Sequence, residues 1–505
     1  MRNQKLAGAA LSYVQLGIKV VIAIVYTPIM LHYLGDGEYG VYSVATSVIS
    51  FLAMLDLGFG QTLIHFNVKY RAEGQNERAE RASGLFLLFY TVIGLLALAG
   101  GLLAARYCGL VYGARFTPEE LATLQRVLRI LTVNLAVGFP LSVFSSLISA
   151  HERFTFAKLA AIADTILTYG GILLVLMGGY RSVGMAAVTT AVSIAVKLAL
   201  CWYCLGRMKL RLRFGGLDGA IFKAIFRYSA FIFLNILVDQ LYNNTDKLVL
   251  GAVVGAAAVT TYTVGVQFSA YFQQLSTAVS GVYLPRITQI YAEDRGTERL
   301  SALFVRIGRI QFILLAFVLS GFIAFGQDFI LLMAGPSNSR AYLIALIIMV
   351  PTVIPLSQNI GIAILQAMNR HGFRSVVYLF IALLNVALTI PLARRWSGVG
   401  AAVGTTVACL LGQWLTMNWF YYKKIGLDIP RYWREVGGIA LRMLPMALPA
   451  WALNRLLPQC TWPVLFVRIV LYTLTFLPLC WGLLLNAEEK TLAGGVLRRM
   501  RGHDR

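Results

Sequence analysis

Leu34-Gly35-Asp36-Gly37-Glu38-Tyr39-Gly40-Val41-Tyr42-Ser43-Val44 has a second copy: displaced by 220 positions (262 − 42), it meets Val254-Gly255 and Tyr262-Thr263-Val264, and Ala72-Glu73 meets Ala292-Glu293. Further on, Val183-Gly184 and Thr189-Thr190 fall on Val399-Gly400 and Thr405-Thr406 at a displacement of 216, and Ala150 with Arg153 fall on Ala367 with Arg370 at 217. The chain is written twice, and six apolar segments lie inside each copy. An even number of crossings returns a chain to its starting side. The copies are therefore expected to be parallel, related by an axis along the membrane normal, with any substrate cavity between them.

Composition places these segments in a bilayer. Of 505 residues, 58% are hydrophobic and only 13% charged, and the mean hydropathy of +0.71 is far above that of a soluble domain. Apolar runs of about 20 residues, enough to cross a hydrocarbon core of about 30 Å, recur from end to end. About fourteen are expected, centred near Ile22, Leu52, Leu95, Val137, Leu167, Ala195, Leu241, Phe272, Leu315, Ile354, Leu384, Leu410, Leu444 and Tyr472. The expected fold is an all-α polytopic membrane protein: a first six-helix lobe over 1–208, a linker over 209–223, a second six-helix lobe over 224–425, and two appended helices with a basic tail over 426–505.

A net charge of +22 on a soluble chain would suggest nucleic acid, but here the cations mark topology. Thirty of the 44 Lys and Arg fall in every second connection, from Arg2 and Lys5 through Lys69–Arg81, Arg207–Arg227 and Arg286–Arg309 to the tail at Arg498-Arg499-Met500-Arg501. The positive-inside rule makes those connections and both termini cytoplasmic, in a multi-pass protein of the cytoplasmic (inner) membrane, with the tail lying near anionic lipid headgroups. Arg2 and Lys5 precede an apolar run too long for a signal-peptide core, so it reads as an uncleaved first span. The pair Cys201 and Cys204 lies near the end of the sixth span, with no second pair or histidine nearby, and reads as helix packing. Gly398-Val-Gly-Ala-Ala-Val-Gly404 lacks the spacing and acidic partner of a dinucleotide fingerprint and reads as a helix contact. No phosphate-binding loop, zinc motif or nucleophile elbow occurs, so neither a cofactor, a metal nor an enzymatic activity is expected.

Charges within apolar spans carry the functional signal. In the first span Ser12, Gln15, Lys19 and Tyr26 share one helical stripe, and in the seventh Asn235, Asp239, Tyr242, Asn243 and Asp246 do the same, with Gln240, Asn244 and Lys247 widening it. The 220-residue displacement sets Gln15 on Asn235 and Lys19 on Asp239, opposite charges at equivalent depth. A central charge costs at least about 2.5 to 3.5 kcal/mol on insertion and is usually kept for a pathway, a partner or a relay. Gln267, Tyr271 and Gln274 continue the polar stripe in the eighth span. These residues form the expected cavity lining, and Tyr26, Tyr242, Tyr262 and Tyr271, on or near the polar stripes, are placed either to stack on a sugar or to pack. The competing reading of Lys19 and Asp239 is a structural salt bridge. Asp56, Asp164 and Lys197 are secondary candidates for coupling, Asp56 also for fixing a helix end beside Gly58 and Gly60. Arg306 and Arg309 suit either a cytoplasmic flank or a cavity.

The amino-terminal strings Gly8-Ala-Ala-Leu-Ser-Tyr13, Leu34-Gly35 with Tyr39-Gly-Val-Tyr42, Leu55-Asp-Leu-Gly-Phe-Gly60 and Lys69-Tyr-Arg-Ala-Glu-Gly74 resemble those of the polysaccharide-type oligosaccharide exporters, in the multidrug/oligosaccharidyl-lipid/polysaccharide superfamily. The resemblance implies two six-helix lobes forming a V, with the last two helices outside, and an O-antigen or capsule flippase. Such a protein moves undecaprenyl-diphosphate-linked repeat units and has membrane lipid, a polymerase and chain-length machinery as partners. It also implies cationic cavity residues for the diphosphate, a pattern that Lys19 and Lys247 match and that Asp239 and Asp246 depart from. Two other classes fit the spans: a cation-coupled small-molecule antiporter using Asp239 or Asp246, and a membrane-embedded sugar transferase or polymerase. The latter is disfavoured because no large external loop carries clustered carboxylates or arginines.

Overall fold

The apolar runs fold as helices, and no strand occurs among the described residues, which in this computed structural model are 2–215, 219–280, 283–293, 297–370 and 372–491. In chain order the helices are α1 (Arg2–Leu52), α2 (Phe59–Ala72), α3 (Asn76–Tyr112), α4 (Pro118–Ala150), α5 (Phe154–Met177), α6 (Arg181–Trp202), α7 (Gly219–Val253), α8 (Ala256–Ser280) and α9 (Leu284–Glu293). They continue with α10 (Glu298–Ala334), α11 (Arg340–Ser357), α12 (Ile360–Ala367), α13 (Gly372–Cys409), α14 (Met417–Phe420), α15 (Ile429–Met443), α16 (Ala447–Leu456) and α17 (Trp462–Leu479). Ten helical stretches among the described residues are long and apolar enough to cross a membrane. Two of them, Val25–Ala72 and Gly372–Ile425, contain backbone breaks at Gly35 and Ser397; the second holds two of the expected apolar centres, Leu384 and Leu410, and the first holds Leu52, with Ile22 just before it on α1. Large apolar side chains such as Leu95, Leu110 and Leu174 face outward, as lipid-facing surfaces require.

The duplication is written into the backbone as well. Positive-φ residues recur at the displacements of the sequence repeat: Gly35 with Gly255 at 220, Glu152 with Asn369 at 217, Arg181 with Ser397 at 216, and Lys209 with Gly426 at 217. Left-handed backbone is costly for residues other than glycine, so four paired occurrences mark helix ends built alike in both copies. Local signals set other boundaries. Thr117 and Glu120 form a reciprocal capping box with Pro118 at the first helical position of α4.

Prolines inside α11 show how the spans tolerate missing donors. Pro351 and Pro355 leave the carbonyls of Ile347 and Pro351 without their usual intrahelical partners. Thr406 Oγ1 donates to Ile347 O at 2.7 Å, and Trp414 Nε1 donates to Pro351 O at 2.7 Å. Satisfaction by a neighbouring helix is what lipid, offering no hydrogen bonds, demands.

The chain resolves into two compact units, 1–263 with 386–401, and 264–385 with 402–505. In the first, Phe59, Leu63, Phe66 and Tyr70 follow the helical period along α2 and pack on Phe86 and Tyr90 of α3 and on Phe139, Val143 and Leu147 of α4. Gly400 sits where a Cβ would lie 2.0 Å from the Leu392 carbonyl oxygen, so the small-residue run around it serves close backbone contact. In the second unit α15 buries Ile429, Tyr432, Val436, Ile439 and Met443 at steps of three and four. Its Tyr432 hydroxyl bonds Ser357 of α11.

Candidate functional site

The seventh span forms α7, a single 35-residue helix, and its polar residues separate into two environments. Asp239 and Asn243 are exposed, and Asn243 Nδ2 donates to the Asp239 carbonyl at 2.8 Å. Asn244 Nδ2 donates to Gln240 Oε1 at 2.7 Å, and Tyr242 is half-buried. About two turns beyond Asp239, Asp246 is 2% exposed. Its Oδ2 accepts from the Tyr262 hydroxyl of α8 at 2.5 Å and its Oδ1 from Thr389 Oγ1 of α13 at 2.9 Å, all within the first unit. Lys247 is half-buried beside it and electrostatically coupled to it. Two donated hydroxyl bonds stabilise the charged carboxylate in this buried setting, and an ionisable group inside a span is usually kept for an ion pathway or a relay. Tyr262 lies on the repeated string and was legible as polar-stripe material; Thr389 was not, because nothing in its local sequence separates it from other span threonines.

In the first span Gln15 is half-buried. The side chains of Lys19 and Asn235 lie outside the described residues, so the proposed Lys19 and Asp239 pairing is represented here by Asp239 alone. Tyr26 stacks edge-on against Tyr169 of α5, with centroids 4.7 Å apart, and its buried hydroxyl has no partner. In α8, Gln267 Nε2 donates to the Tyr271 hydroxyl, and Gln274 is exposed.

The secondary candidates part company. Asp56 closes a short 3-10 turn, Ala53–Asp56, and accepts from the Tyr90 hydroxyl of α3 at 2.5 Å, while Leu57 and Gly58 carry positive φ before α2 begins. That geometry pins a helix end. Asp164 of α5 and Lys197 of α6 are instead brought together on one cavity of ≈ 310 Å³, with Ser145, Ser149 and Ser193 around them. Ser145 and Ser149 donate back to the Ser142 and Ser145 carbonyls at 2.7 and 3.0 Å, so their lone pairs remain to accept. Gly138 makes room for this lysine: a Cβ there would lie 2.5 Å from Lys197 Nζ.

Arg309 is the centre of a buried ion-pair cluster. It is buried in the second unit, with Nε 3.0 Å from Glu489 Oε1, a further ion pair to Glu435 of α15, and a bond to the Leu484 carbonyl at 3.2 Å. Arg468, also buried, binds Asp328 Oδ2 at 2.6 Å and the Gln459 carbonyl at 3.1 Å. Both tie the appended helices to α10. A cavity in this unit, ≈ 640 Å³ between α10, α11 and α15 to α17, has no acidic or basic residue in its lining. Cys201 and Cys204 are unbonded thiols, and the Cys204 Sγ lies 3.4 Å from the Phe144 carbonyl.

This helical chain, with a two-fold internal repeat and ionisable groups inside its apolar spans, shares its fold with multidrug transporters and a lipid flippase. It superimposes on the lipid II flippase MurJ in an inward closed conformation with a TM-score of 0.72 at 15% identity, covering 94% of this chain and 98% of that one. An inward-facing multidrug resistance MATE transporter matches with a TM-score of 0.67 at 16% identity, over 80% and 97%. Residues 6–291 match the model of the polysaccharide biosynthesis protein family, and the chain belongs to that family. Among its relatives are the candidate O-antigen transporter of Shigella flexneri, 18% identical over 80% of this chain and 94% of that protein. The membrane protein EpsK of Bacillus subtilis is 20% identical over 96% and 95%.

Proposed function

We propose that this chain is a flippase that carries an undecaprenyl-diphosphate-linked oligosaccharide repeat unit across the cytoplasmic membrane by alternating access of its two repeats, for assembly of a cell-surface polysaccharide. Membership of the polysaccharide biosynthesis family carries the reading, joined to the polar face of α7. Stripped of water in hydrocarbon, the sugar hydroxyls would each cost several kcal/mol. Asp239, Asn243, Tyr242 and Gln15 offer replacement bonds along the path, and Lys19 with Lys247 offers charge to the diphosphate. The polyprenyl tail stays in lipid. In this reading residues 1–208 and 224–425 are the moving lobes, 209–223 their linker, and both termini are cytoplasmic. A polymerase and chain-length proteins act on the delivered unit.

A cation-coupled antiporter is the second reading, favoured by one observation: the buried Asp246 between the Tyr262 and Thr389 hydroxyls. The test is translocation of a labelled polyprenyl-diphosphate oligosaccharide in proteoliposomes, with Lys19→Ala and Asp239→Asn at matched incorporation. Movement by the wild type and its loss in both variants is expected. Movement retained in both reduces that pair to structure. No movement by the wild type, with proton- or sodium-driven efflux of a small cationic dye abolished by Asp246→Asn, selects the antiporter.

A further inference from the structure

Away from the polar stripes, the end of α2, the start of α3, the end of α4 and the strap at 209–211 enclose a cavity of ≈ 250 Å³. Its lining includes Asn67, Arg71, Ser83, His151, Lys209 and Arg211. The strap is held in place by Arg213, whose Nη1 and Nε lie 2.8 and 2.9 Å from Glu77 and Glu80 of α3. Its carbonyl approaches Gly84 so closely that a Cβ there would lie 2.2 Å away.

Asn67 is 3% exposed, and its amide orientation is settled by its neighbour. Ser83 spends its one proton on the Ala79 carbonyl at 2.8 Å, so it can only accept from Asn67, whose Nδ2 lies 3.2 Å away. Oδ1 is left on the other side of the amide, buried and without a donor. A buried acceptor without a partner destabilises a fold, and a ligand donor relieves it. The charges around it are unbalanced. Arg71, Lys209 and Arg211 face the cavity against Glu80 alone, and Glu80 is already paired with Arg213. His151 Nδ1 donates to the Leu147 carbonyl at 2.8 Å, and burial, with Arg71 and Arg153 nearby, holds its imidazole below the usual value, leaving it neutral near pH 7 with Nε2 as an acceptor.

The second copy of the repeat serves as an internal control. At a displacement of 220 Asn67 and Arg71 become Ile287 and Tyr291, and at 217 His151, Lys209 and Arg211 become Met368, Gly426 and Asp428. The same helix ends are built there without one of these five groups, so the fold does not require them.

We propose that this cavity is a binding site for a phosphate ester carrying free hydroxyls, its oxyanion set against Arg71, Lys209 and Arg211 and one hydroxyl donating to Asn67 Oδ1. The volume suits one sugar phosphate or a phosphoglycerol headgroup, not an oligosaccharide. The site stands whether or not the chain is a flippase.

Titration calorimetry on the full-length protein in uncharged detergent, with glucose 1-phosphate and with inorganic phosphate, tests it. Saturable binding of both is expected. Lys209→Gln/Arg211→Gln, confined to exposed side chains, weakens both by about tenfold or more, whereas Asn67→Ala weakens glucose 1-phosphate severalfold and leaves inorganic phosphate unchanged. Competition by phosphatidylglycerol identifies a lipid headgroup as the source of the ester, and its absence a soluble sugar phosphate. Absence of saturable binding, or affinity unchanged in the Lys209 and Arg211 variant, overturns the site. Equal loss of both ligands in a folded Asn67→Ala protein overturns the hydroxyl contact.

Discussion

Arg306 and Arg309 stand three residues apart at the start of one apolar span, and the structure gives them opposite fates. Arg306 is 39% exposed at its side chain and meets Glu488 at 3.9 Å, whereas Arg309 is 7% exposed and shares Glu489 and Glu435. Exposed pairs contribute little because water and salt screen them. A buried cluster differs: removing one partner leaves the other charge desolvated and unpaired, at about 3–5 kcal/mol. Arg309→Ala is therefore expected to lower the thermal midpoint of the detergent-solubilised protein by several degrees, and Arg306→Ala to leave it within error. Arg309→Ala combined with Glu489→Gln should recover part of the loss, since the stranded carboxylate is then neutral. Equal, small shifts for both arginines would show that water reaches the cluster. None of this pairing was legible in sequence. Glu489, the partner of Arg309, is 180 positions away, and no periodicity links the two.

At the scale of one helix, α11 carries two prolines four residues apart and is still unbroken from Arg340 to Ser357. Both prolines, and their place within an apolar run, are plain from the sequence. What was hidden is the pair of donors that take up the freed carbonyls, Thr406 near the end of α13 and Trp414 just beyond it. A donor's identity there depends on which faces meet, which the apolar count cannot supply. Trp414→Phe keeps an aromatic ring and strands Pro351 O, so it is expected to cost about 1–3 kcal/mol. Pro355→Ala restores the N–H that would bond Pro351 O within the helix. In a double-mutant cycle followed by thermal denaturation, Pro355→Ala should therefore rescue most of the Trp414→Phe loss. Additive losses would mean that the tryptophan acts through packing alone.

For the whole molecule, the repeat was the most legible feature: strings of like residues recur at fixed displacements, and helix ends built alike keep a left-handed backbone, with the same residue in Gly35 and Gly255 and with different ones in Arg181 and Ser397. The candidate site was less so. The stripe on α7 was visible as periodicity, yet that periodicity could not tell the exposed Asp239 from Asp246, closed in by two hydroxyls contributed by α8 and α13. Applied to the alternation of cationic connections, the positive-inside rule predicts that the loop between α16 and α17 is external. Of the six cysteines, all described, Cys460 in that loop is the exposed one. A membrane-impermeant maleimide should thus label the wild-type protein on intact cells made permeable only at the outer envelope, and Cys460→Ser should abolish the signal. The thiol is held above its usual value, first by desolvation and then by the Asp328 carboxylate, against the opposing Arg468. Labelling requires thiolate, so its rate should still be rising at pH values where an unperturbed cysteine has levelled off. Labelling that appears only after the inner membrane is breached would invert the topology, placing the termini outside and the cavity walled by Asn67 and Arg71 on the external face.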